Sequence, residues 1–218
     1  MAPRILPAEL RRRSVLRFPR LPLAARSFAE AGRRGDAAFF ESFYAAPDPY
    51  RLATSERELA KFDALLEACG EGPFERAFEA GCSVGVFTAK LAPRCGDLLA
   101  VDIAENALRQ AREHCRGLPQ VRLERCTLPR ELPAGPFDLA VASDILYYFT
   151  DPQLRLFAES LPSLLAPGGR FVHLAWLGPV DAVGSGASVS AFLRDHLALT
   201  HVATTKAAKS LIDVFEAA

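Results

Sequence analysis

The sequence has no apolar run that approaches the length of a membrane span, and no excess of either charge. Its 218 residues carry 26 Lys and Arg against 26 Asp and Glu, for a formal net charge of zero. The first absence argues against a spanning helix, the second against a dedicated nucleic-acid surface. The five cysteines, Cys69, Cys82, Cys95, Cys115 and Cys126, form no Cys-x-x-Cys pair and have no His at metal spacing. A zinc module is therefore not expected, and no metal site is read. An odd number of thiols in a mixed chain points to reduced cysteines and a cytoplasmic setting. Lysine is scarce, 4 against 22 Arg, which reads as GC-rich coding bias, not as chemistry. The dinucleotide fingerprint Gly-x-Gly-x-x-Gly is missing as well.

Half of the residues are hydrophobic, enough for one sizeable core, and the length suits one domain with an N-terminal extension. We divide the chain into a basic extension and helix, residues 1–46, and a main domain, residues 47–218. Up to Arg26 the extension holds seven Arg and one acid, Glu9. Prolines at 3, 7, 19 and 22 interrupt any long amphipathic helix there, which favours a bacterial extension over a mitochondrial presequence. It reads as a loosely packed arm, or as a cover over a ligand or a dimer contact.

The stretch around which the domain is organised is Ala77-Phe78-Glu79-Ala80-Gly81-Cys82-Ser83-Val84-Gly85. It starts as a buried strand, passes an acid and two glycines, and continues as an amphipathic helix. Glycines at a strand-to-helix turn let the backbone bend sharply and let a ligand come close. Seventeen residues past Gly85, Asp102 ends a second apolar run, Leu98-Leu99-Ala100-Val101-Asp102, where a carboxylate is placed to accept ribose hydroxyls.

This pair resembles motif I and the following acidic motif of class I S-adenosylmethionine (SAM) methyltransferases. A pyrophosphate wants a helix N-terminus free of nearby carboxylates. SAM has no phosphate and carries a sulfonium and an ammonium, which suits Glu79 better. The resemblance implies an α/β, Rossmann-like, doubly wound seven-stranded sheet whose last strand is antiparallel.

The rest of the chain is read against that expectation. Asp36 caps a helix through Tyr44, and Pro47-Asp48-Pro49-Tyr50 breaks it. Ser55 with Glu58 reads as a capping box for a helix whose apolar face is Leu59, Phe62, Leu65 and Leu66. Strands are expected near 76–81, 98–102, 121–126, 137–143 and 170–176. Helices are expected from about 85, over 104–115, and over 152–165 up to Pro167-Gly168-Gly169. A Gly- and Ser-rich loop covers 177–190, with a short helix near 188–197. Two terminal strands, 199–205 and 211–216, flank Lys206-Ala207-Ala208-Lys209.

From about residue 47 onward the chain resembles the nodulation-protein-S-like methyltransferases. Pro47-Asp48-Pro49-Tyr50 leading into Ser55-x-x-Glu58-x-x-Lys61 is similar to that family's opening segment. Glu79 to Gly85 resembles its motif I, Cys and Ser included. Ser143-Asp144-Ile145-Leu146-Tyr147-Tyr148 resembles its Ser-Glu-x-Leu-Tyr-Tyr segment. Trp176-Leu177-Gly178-Pro179-Val180-Asp181 resembles its loop after strand five. The resemblance implies N-methylation of an amino sugar in an oligosaccharide. Two departures point to a changed acceptor pocket: Arg57 stands where an aromatic is common, and residues 182–190 lack the acids and His that the resemblance leads one to expect.

What the resemblance implies for the site follows residue by residue. Glu79, Gly81, Cys82, Ser83 and Gly85 line the methionine part of SAM. Asp102 takes the ribose hydroxyls and Ile103 packs on adenine. Cys126 and Thr127 stand where an Asp often meets the adenine amino group. Ser143 and Asp144 lie at the carboxyl end of strand four, beside the methyl donor. Asp144 is a candidate helper base or acceptor anchor; otherwise it shapes the loop. Tyr147 and Tyr148 wall the acceptor or pack a helix start. His173 is a catalytic candidate or a core residue, and His196 and His201 are peripheral.

The expected function is SAM-dependent methyl transfer to a small-molecule acceptor: an amine of an amino sugar, oligosaccharide or natural-product intermediate. Small-molecule O-methylation, and a SAM-binding accessory protein without catalysis, stay open. No nucleic-acid partner is expected, since no Asn/Asp-Pro-Pro-Tyr follows strand four, and no membrane partner, since no apolar run is long enough to span one. The state expected is monomer or homodimer.

Overall fold

The computed structural model describes residues 36–207 and 209–218. The expectations for residues 1–34, and for Ala208, lie outside these. The helices are α1 (Ala37–Phe43), α2 (Glu56–Cys69), α3 (Val86–Leu91), α4 (Glu105–His114), α5 (Asp151–Ser160) and α6 (Gly186–His196). The strands are β1 (Phe74–Ala80), β2 (Cys95–Asp102), β3 (Val121–Arg125), β4 (Phe137–Ser143), β5 (Leu165–Trp176), β6 (Thr200–Ala207) and β7 (Ser210–Glu216).

They form one seven-stranded sheet in the order β3-β2-β1-β4-β5-β7-β6. The first five strands run parallel. β7 enters antiparallel between β5 and β6, so the last strand is antiparallel as expected. A parallel sheet needs cover on both faces, and its central strands are apolar on both. In β4, Leu139 and Val141 face one layer with Phe62, Leu65 and Leu91 of α2 and α3. Ala140 and Ala142 face the other, with Phe157 of α5 and Leu193 of α6. Each fully buried Leu or Phe contributes about 1.5–3 kcal/mol.

The reversal of strand order falls between β1 and β4. In open α/β sheets this is where ligands bind, outside the carboxyl ends of the strands.

Asp36 caps α1 as expected, its Oδ1 accepting from the Phe39 N–H at 2.8 Å. Tyr44, just past α1, packs with Val84, Ala104 and Ala107. The Ser55 capping box does not form. Glu58 is drawn instead to Arg57 and Lys61, and a paired carboxylate does not turn back to the helix start. Helix α5 stops at Ser160, where a short 3₁₀ turn with Pro162 near its start takes over. β5 then begins at Leu165, so Pro167-Gly168-Gly169 lies within a strand, at a register irregularity against β4. Among the described residues no helix is long and apolar enough to cross a membrane.

Candidate active site

The carboxyl ends of β1, β2 and β4 open into a cavity of about 770 Å³, within the usual range of small-molecule sites. At its floor β1 turns into α3. Gly81 takes φ +75° there, and the amides of Gly81 and Cys82 both donate to the Val101 carbonyl, at 2.9 and 2.8 Å. A Cβ on Gly81 would meet Ile145 Cδ1 at 2.6 Å. Gly85, at φ +82°, does not border the cavity; a Cβ there would meet the Ala111 backbone at 2.8 Å. The second glycine of the turn thus lets α3 approach α4, away from the cavity lining where the cofactor reading expected it.

Ser83 is left-handed at φ +53°, a conformation costly for a non-glycine residue. Two contacts hold it, and a third fixes its partner Asp102. Its N–H donates to Asp102 Oδ2 at 2.9 Å, its hydroxyl is hydrogen-bonded to the Tyr44 hydroxyl at 2.8 Å, and Asp102 Oδ1 accepts from the Ala104 N–H at 2.9 Å. The acid at the tip of β2 therefore shapes the motif turn as well as facing the cavity.

Glu79 and Asp102 are both buried, and among the described residues neither has an ion-pair partner. Glu79 Oε2 has no hydrogen-bond partner either. Burial pushes Glu79 up to about 7 and Asp102 up to about 6, the latter against its backbone hydrogen bonds. Two buried carboxylates without a counter-charge suit a ligand that brings positive charge. The residues present fit SAM in this respect. Cys82, Ile103, Cys126 and Thr127 also line the cavity. The Thr127 N–H is already taken by Glu131 Oε2 at 2.5 Å, so that backbone donor is not free for a ligand.

The other end of the cavity is built at the ends of β4 and β5. Ser143 lines it, and Asp144 sits at φ +55° with its N–H donating to the Leu174 carbonyl. Asp144 Oδ1 accepts from the Trp176 N–H at 2.7 Å, and Oδ2 accepts from Lys61 Nζ at 2.6 Å. Lys61 also pairs with Glu58, whose Oε1 accepts from Arg57 Nε and Nη2 at 3.0 and 2.7 Å. Burial alone would lower the Lys61 pKa; Asp144 and Glu58 raise it nonetheless. Arg57 lies over the Trp176 ring, 4.8 Å from its centroid. The residue that departs from the family pattern thus stands at the cavity wall.

All four tyrosines of the chain, and its single tryptophan, line this cavity. Tyr147 and Tyr148 were expected there. Tyr44 and Tyr50, and the ion-paired Lys61 and Glu58, were not read as site residues. The family-like opening segment carries Tyr50, Glu58 and Lys61 and is their one signal; Tyr44 lies before it and has none. Gln110 of α4 pins the Tyr44–Tyr50 segment: its Nε2 donates to the carbonyls of Tyr44 and Ala46, and its Oε1 accepts from the Asp48 N–H.

His173 does not line the cavity. It is fully buried on β5, pairs in register with Asp213 on β7, and stacks with Phe171 at 6.5 Å. Strand alternation puts it on the face with Phe171, among the side chains beneath α5 and α6. Burial lowers its pKa to about 4. His173 thus lies in the core of the sheet and not at the cavity where a catalytic role would place it. His196 and His201 are exposed and outside the cavity.

The strand order, the inserted antiparallel β7 and a cavity at the switch point define the class I SAM-dependent methyltransferase fold. Residues 34–183 match the family model described as Nodulation protein S (NodS), and the chain belongs to that family. Nodulation protein S of Sinorhizobium fredii is 31% identical over 140 residues, 63% of each chain. Nodulation protein S of Rhizobium tropici is 33% identical over 130 residues, 59% of this chain and 55% of that one. The match thus spans less than two thirds of the length of either relative. Among solved structures, the N-methyltransferase NodS from Bradyrhizobium japonicum WM9, in complex with S-adenosyl-L-homocysteine (SAH), superposes with a TM-score of 0.73 at 28% identity. That superposition covers 81% of this chain and 95% of the other.

Proposed function

We propose that this protein moves a methyl group from SAM to an amine nitrogen of a small-molecule acceptor in the cytoplasm. The observation that carries the reading is one cavity with two uncompensated buried carboxylates at one end and a tyrosine-rich wall at the other. When bound, SAM supplies a methyl carbon that bonds to the acceptor nitrogen as its bond to sulfur breaks, after which a proton leaves the nitrogen.

The chain's residues hold, orient and exclude water. Glu79 meets the positive charge of the cofactor. Asp102 keeps lone pairs beyond those used by Ser83 and Ala104, and accepts the ribose hydroxyls. Gly81 lets the ligand approach the turn, Cys82 and Ser83 line it, and Ile103, Cys126 and Thr127 border the adenine. Ser143 and Tyr147 shape the acceptor end. Asp144, ion-paired to Lys61, serves better as an anchor than as a proton-taking base. Holding an amine in line contributes about 7–11 kcal/mol without a dedicated base.

An amine is favoured as acceptor because the Bradyrhizobium japonicum neighbour is an N-methyltransferase. Amines of sugars, oligosaccharides and natural-product intermediates fit the cavity's size. The test is label transfer from methyl-labelled SAM to a panel of amino sugars and their hydroxyl isosteres. Label on the amines alone supports the reading. Label on the hydroxyl compounds alone, or none on any acceptor, overturns it.

A further inference from the structure

Three of the four tyrosines gather at the acceptor end of the cavity. The Tyr147 and Tyr148 rings stand 4.9 Å apart at 57°, as two tilted walls. The Tyr50 hydroxyl meets the Tyr148 hydroxyl at 3.1 Å, and the edge-on Phe40 ring backs Tyr148 at 5.0 Å. Burial, and next to it the Asp144 and tyrosine charges, keep the Tyr147 and Tyr148 phenols protonated.

The ionised groups beside these rings are Arg57, Glu58, Lys61 and Asp144, linked in alternation. These four cancel among themselves, which leaves Asp102, felt at Tyr50, as the remaining ionised group near the rings. Closest to a bound group is the negative face of the rings, which attracts cations. The wall already makes one such contact, Arg57 over Trp176. Moreover, the Tyr50 and Tyr148 hydroxyls are hydrogen-bonded to each other, and the O–H left over is at the exposed rim. A nitrogen with no N–H to offer would leave neither of them unpaired.

We infer that this wall, on the amine reading above, is a site for alkylated ammonium groups and accepts a nitrogen up to the quaternary state. Positive charge reaches the nitrogen as the methyl bond forms and the sulfur becomes neutral. A wall that prefers the charged nitrogen therefore binds the transition state better than the neutral amine, which is what accelerates a reaction. It also holds a singly methylated product in place for a further transfer.

The test uses the full chain saturated with SAH. Choline and its uncharged isostere 3,3-dimethylbutan-1-ol are titrated in turn, read by the fluorescence of Trp176. Choline should bind at least about fivefold tighter than the isostere. Added salt should lower that ratio only slightly, because the four linked charges beside the rings cancel. Tyr148→Leu should bring the ratio towards one, and Tyr148→Phe, which keeps the ring, should preserve it. If Tyr148→Leu does not fold, Tyr50→Leu at the exposed rim gives the same comparison. Equal binding of the two probes, or SAH-saturated protein that binds neither, overturns the ammonium site and leaves the methyltransferase reading standing. A chain that cannot be saturated with SAH removes both.

Discussion

Lys61 reaches from α2 to Asp144 at the end of β4 and donates to its Oδ2 at 2.6 Å, while Oδ1 accepts the Trp176 N–H. One carboxylate thus ties a helix, the end of β4 and the end of β5 together at the acceptor wall. Its left-handed backbone is held by these two contacts and by its own N–H, which donates to the Leu174 carbonyl at 2.9 Å.

Asp144→Asn keeps an acceptor for the Trp176 N–H and loses one of the two carboxylate partners of Lys61. SAH affinity should stay within a few-fold, because Asp102 lies at the tip of β2, two strands from β4. Turnover should fall, and thermal stability should fall with it. Breaking a fully buried pair costs about 3–5 kcal/mol, and this partly exposed one less. Lys61→Met combined with Asp144→Asn should be more stable than the sum of the two single losses, read by a double-mutant cycle of melting. Additive losses would show that the pair is not coupled.

Glu79 makes cofactor binding pH-dependent with a definite sign. Its folded-state pKa is raised to about 7, so its stability contribution is present below the ordinary carboxylate range and is lost as pH rises towards 7. The raised pKa corresponds to about 3 kcal/mol against ionisation. A cation that enters the site favours the ionised form. SAM binding near pH 6 should therefore release protons, and SAM affinity should rise between pH 5 and 7. Calorimetry in two buffers of different ionisation enthalpy reads the protons directly. In Glu79→Gln the release should shrink, and the apo protein should melt higher than wild type at pH 8. Unchanged proton release would show that Glu79 does not face the cofactor's charge.

Gly85→Ala separates packing from cofactor contact. At φ +82° an added Cβ strains the backbone by about 1–2 kcal/mol and runs into Ala111 of α4. We expect a lower melting temperature and near-normal SAH affinity in the protein that remains folded. A loss of affinity with unchanged melting would return Gly85 to the binding site.

The difference between the two glycines shows what was legible in the sequence. Spacing and apolar runs placed the turn after β1, Asp102 at the tip of β2, and β4 at Phe137–Ser143, because these depend on local pattern. Gly81 and Gly85 look alike in that pattern, and only the approach of α4 tells them apart. The Lys61–Asp144 pair joins residues 83 apart, and the Tyr44 bond to Ser83 joins residues 39 apart. No local periodicity encodes either. For His173, alternation along β5 assigns it to the face of Phe171, but which face borders the cavity depends on the layers above and below the sheet. β5 itself began earlier than read, since Pro167-Gly168-Gly169 signals a turn locally yet is accommodated in the sheet by a register irregularity.

His173→Leu should leave turnover and its pH profile unchanged. Both ring nitrogens are buried without a partner among the described residues, so an apolar residue of similar size should be neutral or stabilising. A large loss of turnover in a protein that melts normally would restore a catalytic role.

The most direct test of the account is a calorimetric titration of the full chain with SAH, in wild type and in Asp102→Ala. Saturable binding of one SAH per chain is the expected result. Binding at least about tenfold weaker is expected in the variant, since each lost charge-assisted hydrogen bond is worth about 1.5–3 kcal/mol. No saturable heat with the wild-type chain would contradict the cofactor site. Equal affinity in Asp102→Ala would contradict the role given to the acid at the tip of β2.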